Sequence, residues 1–343
     1  VRHSFPTRRS SDLLKQTRVD ARGGADLAFG PFEKIKFAGG WADYKHTEFE
    51  GGDPGTVFLS QGYEGRIELV QPNRDGWQGA VGFQGLHRTI DAIGEEALIP
   101  KTHINELGVF TLQRLDRDAW GVEGGLRLDT RKLASRKGER DFTNVSASAG
   151  AFVRPADGWF LGISASHTSR APTEDELFAD GPHPATGSFE IGDVGLDRET
   201  SDSVDATVHY AEGPWSLDLH LFGVKFDGFI DLTPTGVENA DSGLPIFRYV
   251  QTGARFHGSE MEASYLAWSE GDRSLKLELS GDYVRGETDL GPPARIPPWS
   301  VTGRLVYEGG WWTGRLEARH VAEQTRTAAF ERPTDGYDIV NAM

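Results

Sequence analysis

The side chains that could do chemistry in this sequence are concentrated in one long polar segment, residues 169–205. His183 is the only histidine there, and six carboxylates surround it in sequence: Glu174, Asp175, Glu176, Asp180, Glu190 and Asp193. An imidazole nitrogen combined with carboxylate oxygens is a suitable first shell for Zn²⁺. We therefore predict a substrate-binding set made of Asp175, Glu176, His183, Glu190 and Asp193.

A second acidic pair, Glu95 and Glu96, lies in another polar loop that we place on the same face of the protein. These carboxylates could converge on the histidine, so the predicted metal ligands are His183, Glu95 and Glu96. The alternative is that the acidic residues are solvated loop charges, or that they bind divalent ions that bridge lipopolysaccharide. Three other histidines near strand ends are weaker candidates, since such residues are more often ordinary rim residues: His46, His103 and His167.

The sequence contains no recognisable catalytic constellation. It has no G-x-S-x-G elbow, no H-E-x-x-H, no P-loop and no G-x-G-x-x-G fingerprint. The absence of cysteine excludes disulfides and thiolate metal sites. We predict that the protein is not an enzyme and has no cofactor, so that zinc or an iron chelate would be cargo.

Composition narrows the class of partner. The formal net charge of −16 over 343 residues makes nucleic acid an unsuitable partner, because its phosphates would be repelled. The same charge attracts cations. No run of about 18 apolar residues is present, which excludes a transmembrane helix.

The elements that must position these residues are predicted to be long β-strands. Apolar and charged residues alternate with period two, as in Leu275, Leu277 and Leu279 against Lys276 and Glu278. Seven of the nine tryptophans lie beside very short turns, where an amphipathic ring suits a membrane interface. The seven are Trp77, Trp120, Trp159, Trp215, Trp268, Trp311 and Trp312.

A soluble β-sandwich would also alternate, but the strands here are longer than globular strands, their polar faces carry charges of both signs, and short turns alternate with longer loops. A β-propeller would repeat four short strands per blade with a regular motif, and the sequence has no such motif. We therefore predict an all-β fold, a transmembrane antiparallel β-barrel with about 15 strands. The longer loops are predicted near residues 50–56, 92–101, 132–141, 170–197, 232–246, 289–295 and 328–336.

The segment from Ser169 to Asp205 identifies a family. Its "R-x-P…E-L…G…L-x-x-E-x-S" pattern is formed by Arg170, Pro172, Glu176, Leu177, Gly181, Leu196, Glu199 and Ser201. This pattern resembles TonB-dependent outer-membrane receptors. The variant with His183 after Gly181-Pro182, followed by Phe189-Glu190 and Gly192-Asp193, is similar to the subgroup that includes zinc-uptake receptors.

The resemblance implies an incomplete barrel, about 15 of roughly 22 strands, without the N-terminal plug domain that fills such barrels. It implies the outer membrane of a Gram-negative bacterium as the location. The expected partners are the TonB complex through the missing plug, outer-membrane lipid and lipopolysaccharide, and a metal or metal chelate. The expected function is import of that cargo, with zinc favoured; a siderophore or haem receptor and a passive pore are the alternatives.

The first residues differ in character from the rest of the chain. Residues 1–13 are rich in arginine and serine and lack an apolar stretch. We predict that residues 1–13 are a disordered or non-native tail and that residues 14–343 form the partial barrel. Arg170, Pro172 and Glu199 are predicted to be structural.

Overall fold

A computed structural model describes residues 10–50, 53–94, 97–183 and 186–343. These residues form a 17-stranded sheet and one short helix. Among them, no helix is long and apolar enough to cross a membrane.

Fourteen of the strands span 10 to 26 residues, one spans 6 residues and two span 4 residues. They are β1 (Ser10–Phe29), β2 (Phe32–Glu50), β3 (Asp53–Val70), β4 (Trp77–Gly94), β5 (Thr102–Arg117), β6 (Trp120–Ser135), β7 (Gly138–Val153), β8 (Trp159–Arg170), β9 (Asp180–His183), β10 (Ser188–Ile191), β11 (Glu199–Glu212), β12 (Trp215–Glu238), β13 (Pro245–Glu270), β14 (Arg273–Thr288), β15 (Ser300–Gly309), β16 (Trp312–Val321) and β17 (Tyr337–Ala342); the helix is α1 (Glu174–Phe178). The predicted count of about 15 strands is confirmed for the strands that pair along the wall, β1 to β8 and β11 to β17. The two short strands lie inside the longest loop and were not foreseen.

The long strands pair antiparallel with their neighbours along the chain. The order runs from β1 to β8, passes to β11, and continues to β17. The short strands β9 and β10 pair antiparallel with each other. β10 also lies parallel to the upper part of β13, with Phe189 opposite Ile246. The longest loop is therefore attached to a distant strand as well as to its own flanking strands.

The two faces of the sheet have the predicted opposite character. On β6, Val122, Leu126 and Leu128 are exposed, while Arg127 and Asp129 on the other face form an ion pair. Among the described residues the aliphatic face is not packed against a second protein layer, as a soluble sandwich would require. An exposed apolar face on long strands is the arrangement of a lipid-facing barrel wall.

The seven tryptophans lie next to the short turns, as predicted. All seven are exposed, at the ends of β4, β6, β8, β12, β13 and β16 or in the turn before β16. Trp215 is tilted on Tyr265 across β12 and β13, with ring centroids 4.1 Å apart. This row of rings marks one membrane interface.

Three of the predicted loops are wrong. β2 ends at Glu50 and β3 begins at Asp53, and β6 and β7 are separated only by Arg136 and Lys137. Of the loop predicted at 232–246, only residues 239–244 lie between β12 and β13. Polar residues led us to predict loops there, but antiparallel pairing satisfies the backbone hydrogen bonds in water as well as in lipid. These hairpins therefore continue as strands beyond the apolar band.

β1 begins at Ser10, inside the predicted tail, while residues 1–9 lie outside the described residues.

The longest loop folds back over the polar face and builds the buried core. Leu177 and Phe178 of α1 are 0% exposed. They belong to a cluster that also takes side chains from β4 to β7 and from β12: Ile90, Ala92, Ile104, Leu133, Phe142 and Ile230. Since β12 and β4 are far apart in the order of the sheet, the sheet must curve around the loop.

Candidate functional site

The loop that carries the candidate site is organised by a capping box at the start of α1. The Thr173 hydroxyl accepts a hydrogen bond from the Glu176 amide at 3.3 Å, and a Glu176 carboxylate oxygen accepts one from the Thr173 amide at 2.7 Å. This reciprocal pair satisfies amides that the first helical turn leaves free. The acidic residues of the first turn also suit the positive end of the helix.

Arg170 fixes the loop to the barrel wall. Its guanidinium donates to both oxygens of Glu176, at 2.9 and 3.0 Å, and to both oxygens of Glu199, at 2.9 and 3.1 Å. Glu199 also accepts from the amide of Ile230 at 2.8 Å. These contacts give Glu176 a structural role, and its place in the substrate-binding set stays a prediction. They agree with the structural role predicted for Arg170 and Glu199.

His183 and Glu190 face each other across the β9–β10 hairpin. The imidazole Nδ1 lies 2.8 Å from Oε1 of Glu190, whose side chain is 2% exposed. The same carboxylate accepts hydrogen bonds from three hydroxyls: Thr186 at 2.9 Å, Ser188 at 3.2 Å and Tyr249 at 3.2 Å. Both oxygens of this buried carboxylate are therefore occupied.

This arrangement assigns different roles to the two residues. The Glu190 carboxylate already contacts His183 and three hydroxyls, so we interpret it as the group that orients the imidazole. Its place in the substrate-binding set stays a prediction. With Nδ1 held by the carboxylate, Nε2 is the ring nitrogen that remains for a metal ion. A carboxylate behind a histidine is the usual support of a metal-binding imidazole.

Asp175 is the acidic residue whose ionisation is most affected by this environment. Burial, reinforced by the charges of Glu174 and Glu190, raises the pKa of Asp175 to about 6, while His183 opposes the increase. The carboxylate is therefore close enough to the histidine and to Glu190 to interact with both. A cation bound here would relieve the repulsion between the carboxylates.

Asp193 has a local structural role. Its carboxylate accepts from the amide of Gly195 at 2.7 Å, and its own amide donates to the carbonyl of Glu176 at 2.9 Å. These bonds close the turn after β10. The structure brings His183, Glu190 and Asp175 together and uses Asp193 and Glu176 to hold the loop.

The predicted ligands Glu95 and Glu96 lie outside the described residues. The chain that follows them does run beside β9. The amide of Asp180 donates to the carbonyl of Leu98 at 2.9 Å. At Gly181 a Cβ atom would lie 2.5 Å from the carbonyl oxygen of Ala97, so glycine is needed for this close approach.

The described residues alone do not complete a metal site. Within 10–50, 53–94, 97–183 and 186–343, no group of three or more His, Cys, Asp or Glu side chains is arranged to hold a metal ion.

The three histidines that were weaker metal-ligand candidates have other contacts. His46 stacks on Phe58, His103 bonds to Thr89, and His167 pairs with Asp202 at 2.8 Å.

Tyr249 is a member of this site that the sequence did not reveal. It lies 59 residues from Glu190 in the chain, and the parallel pairing of β10 with β13 brings it there. Nothing in the local sequence signals this pairing, because β10 is only 4 residues long.

Known structures share this architecture. At 18% identity the copper transporter OprC superposes with a TM-score of 0.82 over 95% of this chain. The FrpB iron transporter from Neisseria meningitidis (F3-3 variant) superposes with a TM-score of 0.69 over 95% of this chain, at 15% identity. The siderophore receptor PirA from Pseudomonas aeruginosa superposes with a TM-score of 0.62 over 97% of this chain, at 15% identity. The chain spans 56%, 55% and 65% of those three proteins, respectively.

The family assignment comes from the sequence itself. Residues 5–343 match the family described as TonB dependent receptor-like, beta-barrel. The match covers nearly the whole chain and agrees with the strand order, the exposed aliphatic face and the tryptophan row. The chain belongs to this family of outer-membrane β-barrels.

Proposed function

We propose that the chain is the barrel wall of a TonB-dependent receptor that imports a metal ion or metal chelate, with zinc as the favoured cargo. The observation that carries the proposal is the orientation of His183 by the buried carboxylate of Glu190. The site lies at the end of the barrel opposite the tryptophan row, where the longer loops of outer-membrane barrels face the outside.

The ligands expected at this site are an imidazole and carboxylates. Nε2 of His183 and the carboxylate of Asp175 are the two groups that the described residues supply. Glu95 and Glu96 precede Ala97, which runs beside Gly181, so they are the proposed source of the remaining ligands. Two or three such ligands with an open position suit capture of Zn²⁺ followed by its release.

Copper is a competing cargo because the superposed OprC is a copper transporter. Cu(I) prefers thiolate and thioether ligands. This chain has no cysteine and two methionines. Met261 lies opposite Leu219 on the lipid-facing side of β13, and Met343 is the last residue. The donor set therefore favours zinc over Cu(I), although Cu²⁺ shares the same imidazole and carboxylate preference.

A metal chelate is the second candidate cargo. A cleft of about 450 Å³ lies beside β9, between the β4–β5 connection and the β6–β7 hairpin. Lys101, Arg136 and Lys137 line it, together with Asp91 and Asp180. Lys137 is paired with Asp180 at 2.9 Å, which leaves Lys101 and Arg136 to bind an anionic siderophore.

Energised import requires a partner in the periplasm. Family membership supports coupling to the TonB complex, which in this family acts through the plug, and the alternative is a passive pore. A full-length protein whose metal uptake stops when TonB is deleted would support the receptor, whereas uptake that is independent of TonB would support the pore.

The cargo is tested by metal titration of the full-length receptor in detergent. We expect Zn²⁺ to bind, and His183→Ala to weaken the binding by about tenfold or more, since one inner ligand and its support are lost. Cu²⁺ and an anionic ferric siderophore serve as the competing ligands.

His167→Ala is the matched control, because this histidine is also paired with a carboxylate but lies on the outer face of β8. If His183→Ala binds zinc with the same affinity as wild type, His183 is not a metal ligand. Siderophore binding that is lost in Arg136→Gln, with no zinc binding by wild type, would favour the chelate.

A further inference from the structure

The β9–β10 hairpin, which carries His183 and Glu190, is attached to the rest of the protein in two places. Its two chain ends are attached to α1 and to the β4–β5 connection. Its β10 edge is attached to β13. We call the hairpin the flap, the attachment of its ends the base and the attachment to β13 the latch. The base and the latch differ in kind, and this difference decides which of them can open.

The base is held by backbone hydrogen bonds and by buried apolar groups. The amide of Asp180, at the start of β9, donates to the carbonyl of Leu98 at 2.9 Å, and the amide of Gly192, just after β10, donates to the carbonyl of Ala179 at 2.9 Å. Ala179 is fully buried and belongs to the core cluster with Leu177. A Cβ atom at Gly192 would lie 2.7 Å from the backbone of Leu177, so the chain is packed directly on α1. Since apolar burial is the main stabilising contribution, the base is the firm attachment.

The latch is short, and its apolar side chains remain partly exposed. β10 pairs in parallel with β13 over only three residue pairs, the first of which joins Phe189 to Ile246. Both of these side chains are half-buried. Parallel pairing is slightly less stable per residue than antiparallel pairing. Among the described residues, one side-chain hydrogen bond joins β10 to β13, from the Tyr249 hydroxyl to Glu190 at 3.2 Å. The latch is therefore the weaker attachment.

We propose that the hairpin is a flap that opens at the latch and pivots on the base. The proposed metal-binding groups lie on both sides of this pivot, His183 on the flap and Asp175 on α1. A cation bound between them holds the flap closed. Opening of the latch separates the two groups, takes the Tyr249 hydroxyl away from Glu190 and releases the cation. The coupling to a cation rests on the proposed function, whereas the latch itself does not.

Hydrogen exchange tests the latch without metal. It is measured by mass spectrometry on the full-length receptor in detergent with a chelator present. We expect the β10 amides that face β13 to exchange faster than the amides of Ala179 and Gly192 at the base, because the latch opens more easily. Tyr249→Phe should accelerate exchange in β10 by about tenfold, since it removes a hydrogen bond to a charged group, and should leave the base unchanged.

Tyr265→Phe is the matched control for this experiment. Tyr265 lies on the same strand, where its ring contacts Trp215, and its hydroxyl makes no hydrogen bond within the described ranges. Exchange in β10 should equal that of wild type in this variant. If Tyr249→Phe also exchanges as wild type does in β10, the latch is not held by this contact and the proposal is overturned.

A disulfide across the latch tests whether the flap must open. The chain has no cysteine, so Phe189→Cys/Ile246→Cys introduces the only pair. Paired positions of adjacent strands lie about 5 Å apart, which is within the range that a disulfide bridges. The oxidised variant should release bound Zn²⁺ about tenfold more slowly than the reduced variant, because the open state is removed.

The control for the disulfide is Ser216→Cys/Ser264→Cys, which joins β12 to β13 at the opposite end of the wall. Its oxidation should not change the rate of zinc release. Equal release from the oxidised and reduced forms of Phe189→Cys/Ile246→Cys would show that release does not need the latch to open. If exchange in β10 responds to Tyr249→Phe but wild type binds no zinc, the proposed cargo is wrong and the flap remains supported.

Discussion

Nδ1 of His183 lies 2.8 Å from Oε1 of Glu190, a carboxylate that Tyr249 of the barrel wall also contacts. The orientation of a loop histidine is thus set by a group anchored to β13. The hairpin that carries both residues is only 4 residues long on each strand. Its position therefore depends on the pairing of β10 with β13 and on the core beneath α1, and not on the hairpin alone.

Glu190→Gln is expected to reduce zinc affinity of the full-length receptor by about 10- to 100-fold. Glutamine keeps the size of the side chain but removes the negative charge. In wild type that charge holds the imidazole in one tautomer and makes the imidazole more basic. Isothermal titration with Zn²⁺ measures the effect. Glu212→Gln, an exposed carboxylate at the opposite end of β11, is the control and should bind zinc as wild type does. Unchanged affinity in Glu190→Gln would show that the carboxylate does not support a metal ligand.

Asp175→Asn is expected to remove a pH dependence of stability. Burial raises the pKa of Asp175 from 3.8 to about 6. The folded state therefore binds this proton more tightly than the unfolded state. The free energy of unfolding should increase as the pH falls from about 6 towards 4, and decrease as the pH rises through 6.

The variant should accordingly be more stable than wild type at pH 7.5, by on the order of 2 kcal/mol, and equal to it near pH 4. Thermal unfolding in detergent with a chelator present measures both values. Asp157→Asn, in an exposed turn, should change neither. A wild type that loses stability between pH 6 and pH 4 through this residue would contradict the assignment.

The barrel could be predicted from the sequence because its signal is local and repeated. Alternation in segments such as Trp120–Leu128 places each side chain on one of two faces, and tryptophans beside short turns mark an interface. The boundaries at 50–56 and 132–141 could not be predicted, since a polar segment forms either a loop or a strand that extends into water. Pairing with the neighbouring strand decides between them.

The candidate site was predictable only in part, because its composition is local and its geometry is not. His183, Asp175 and Glu190 could be proposed from their types and their places in one polar segment. The different roles of Glu176 and Glu190 depend on Arg170 and Tyr249, which arrive from β8 and β13. A carboxylate that binds a cation and one that holds a loop have the same sequence signature, and only the donors around them distinguish the two.

Arg170→Ala is expected to loosen the loop that carries the site. Removal of the guanidinium leaves Glu176 and Glu199 facing each other without a cation. Loss of one partner of a fully buried pair costs about 3–5 kcal/mol, and we expect about 2 kcal/mol here because the arginine is half-buried. Hydrogen exchange of the Leu177, Ala179 and Gly192 amides, which are hydrogen-bonded within the loop, should accelerate.

The control for Arg170 is Arg248→Ala, an exposed arginine on β13 whose side chain makes no hydrogen bond among the described residues. It should leave exchange in the loop unchanged. Exchange rates in Arg170→Ala that equal those of wild type would mean that the apolar core, and not the ion pairs, holds α1 in place.

Leu177→Ala tests that core directly. Leu177 is 0% exposed and packs in the cluster that joins α1 to β4–β7, so truncation creates a cavity that the surrounding barrel wall cannot fill. We expect a loss of about 2–5 kcal/mol, localised to the loop, and faster hydrogen exchange at Ala179. Leu279→Ala, on the exposed aliphatic face of β14, removes the same atoms where lipid replaces them, and should leave the loop unaffected. Equal effects of the two substitutions on loop exchange would show that α1 is not anchored by burial, and that His183 is positioned by the β10–β13 pairing alone.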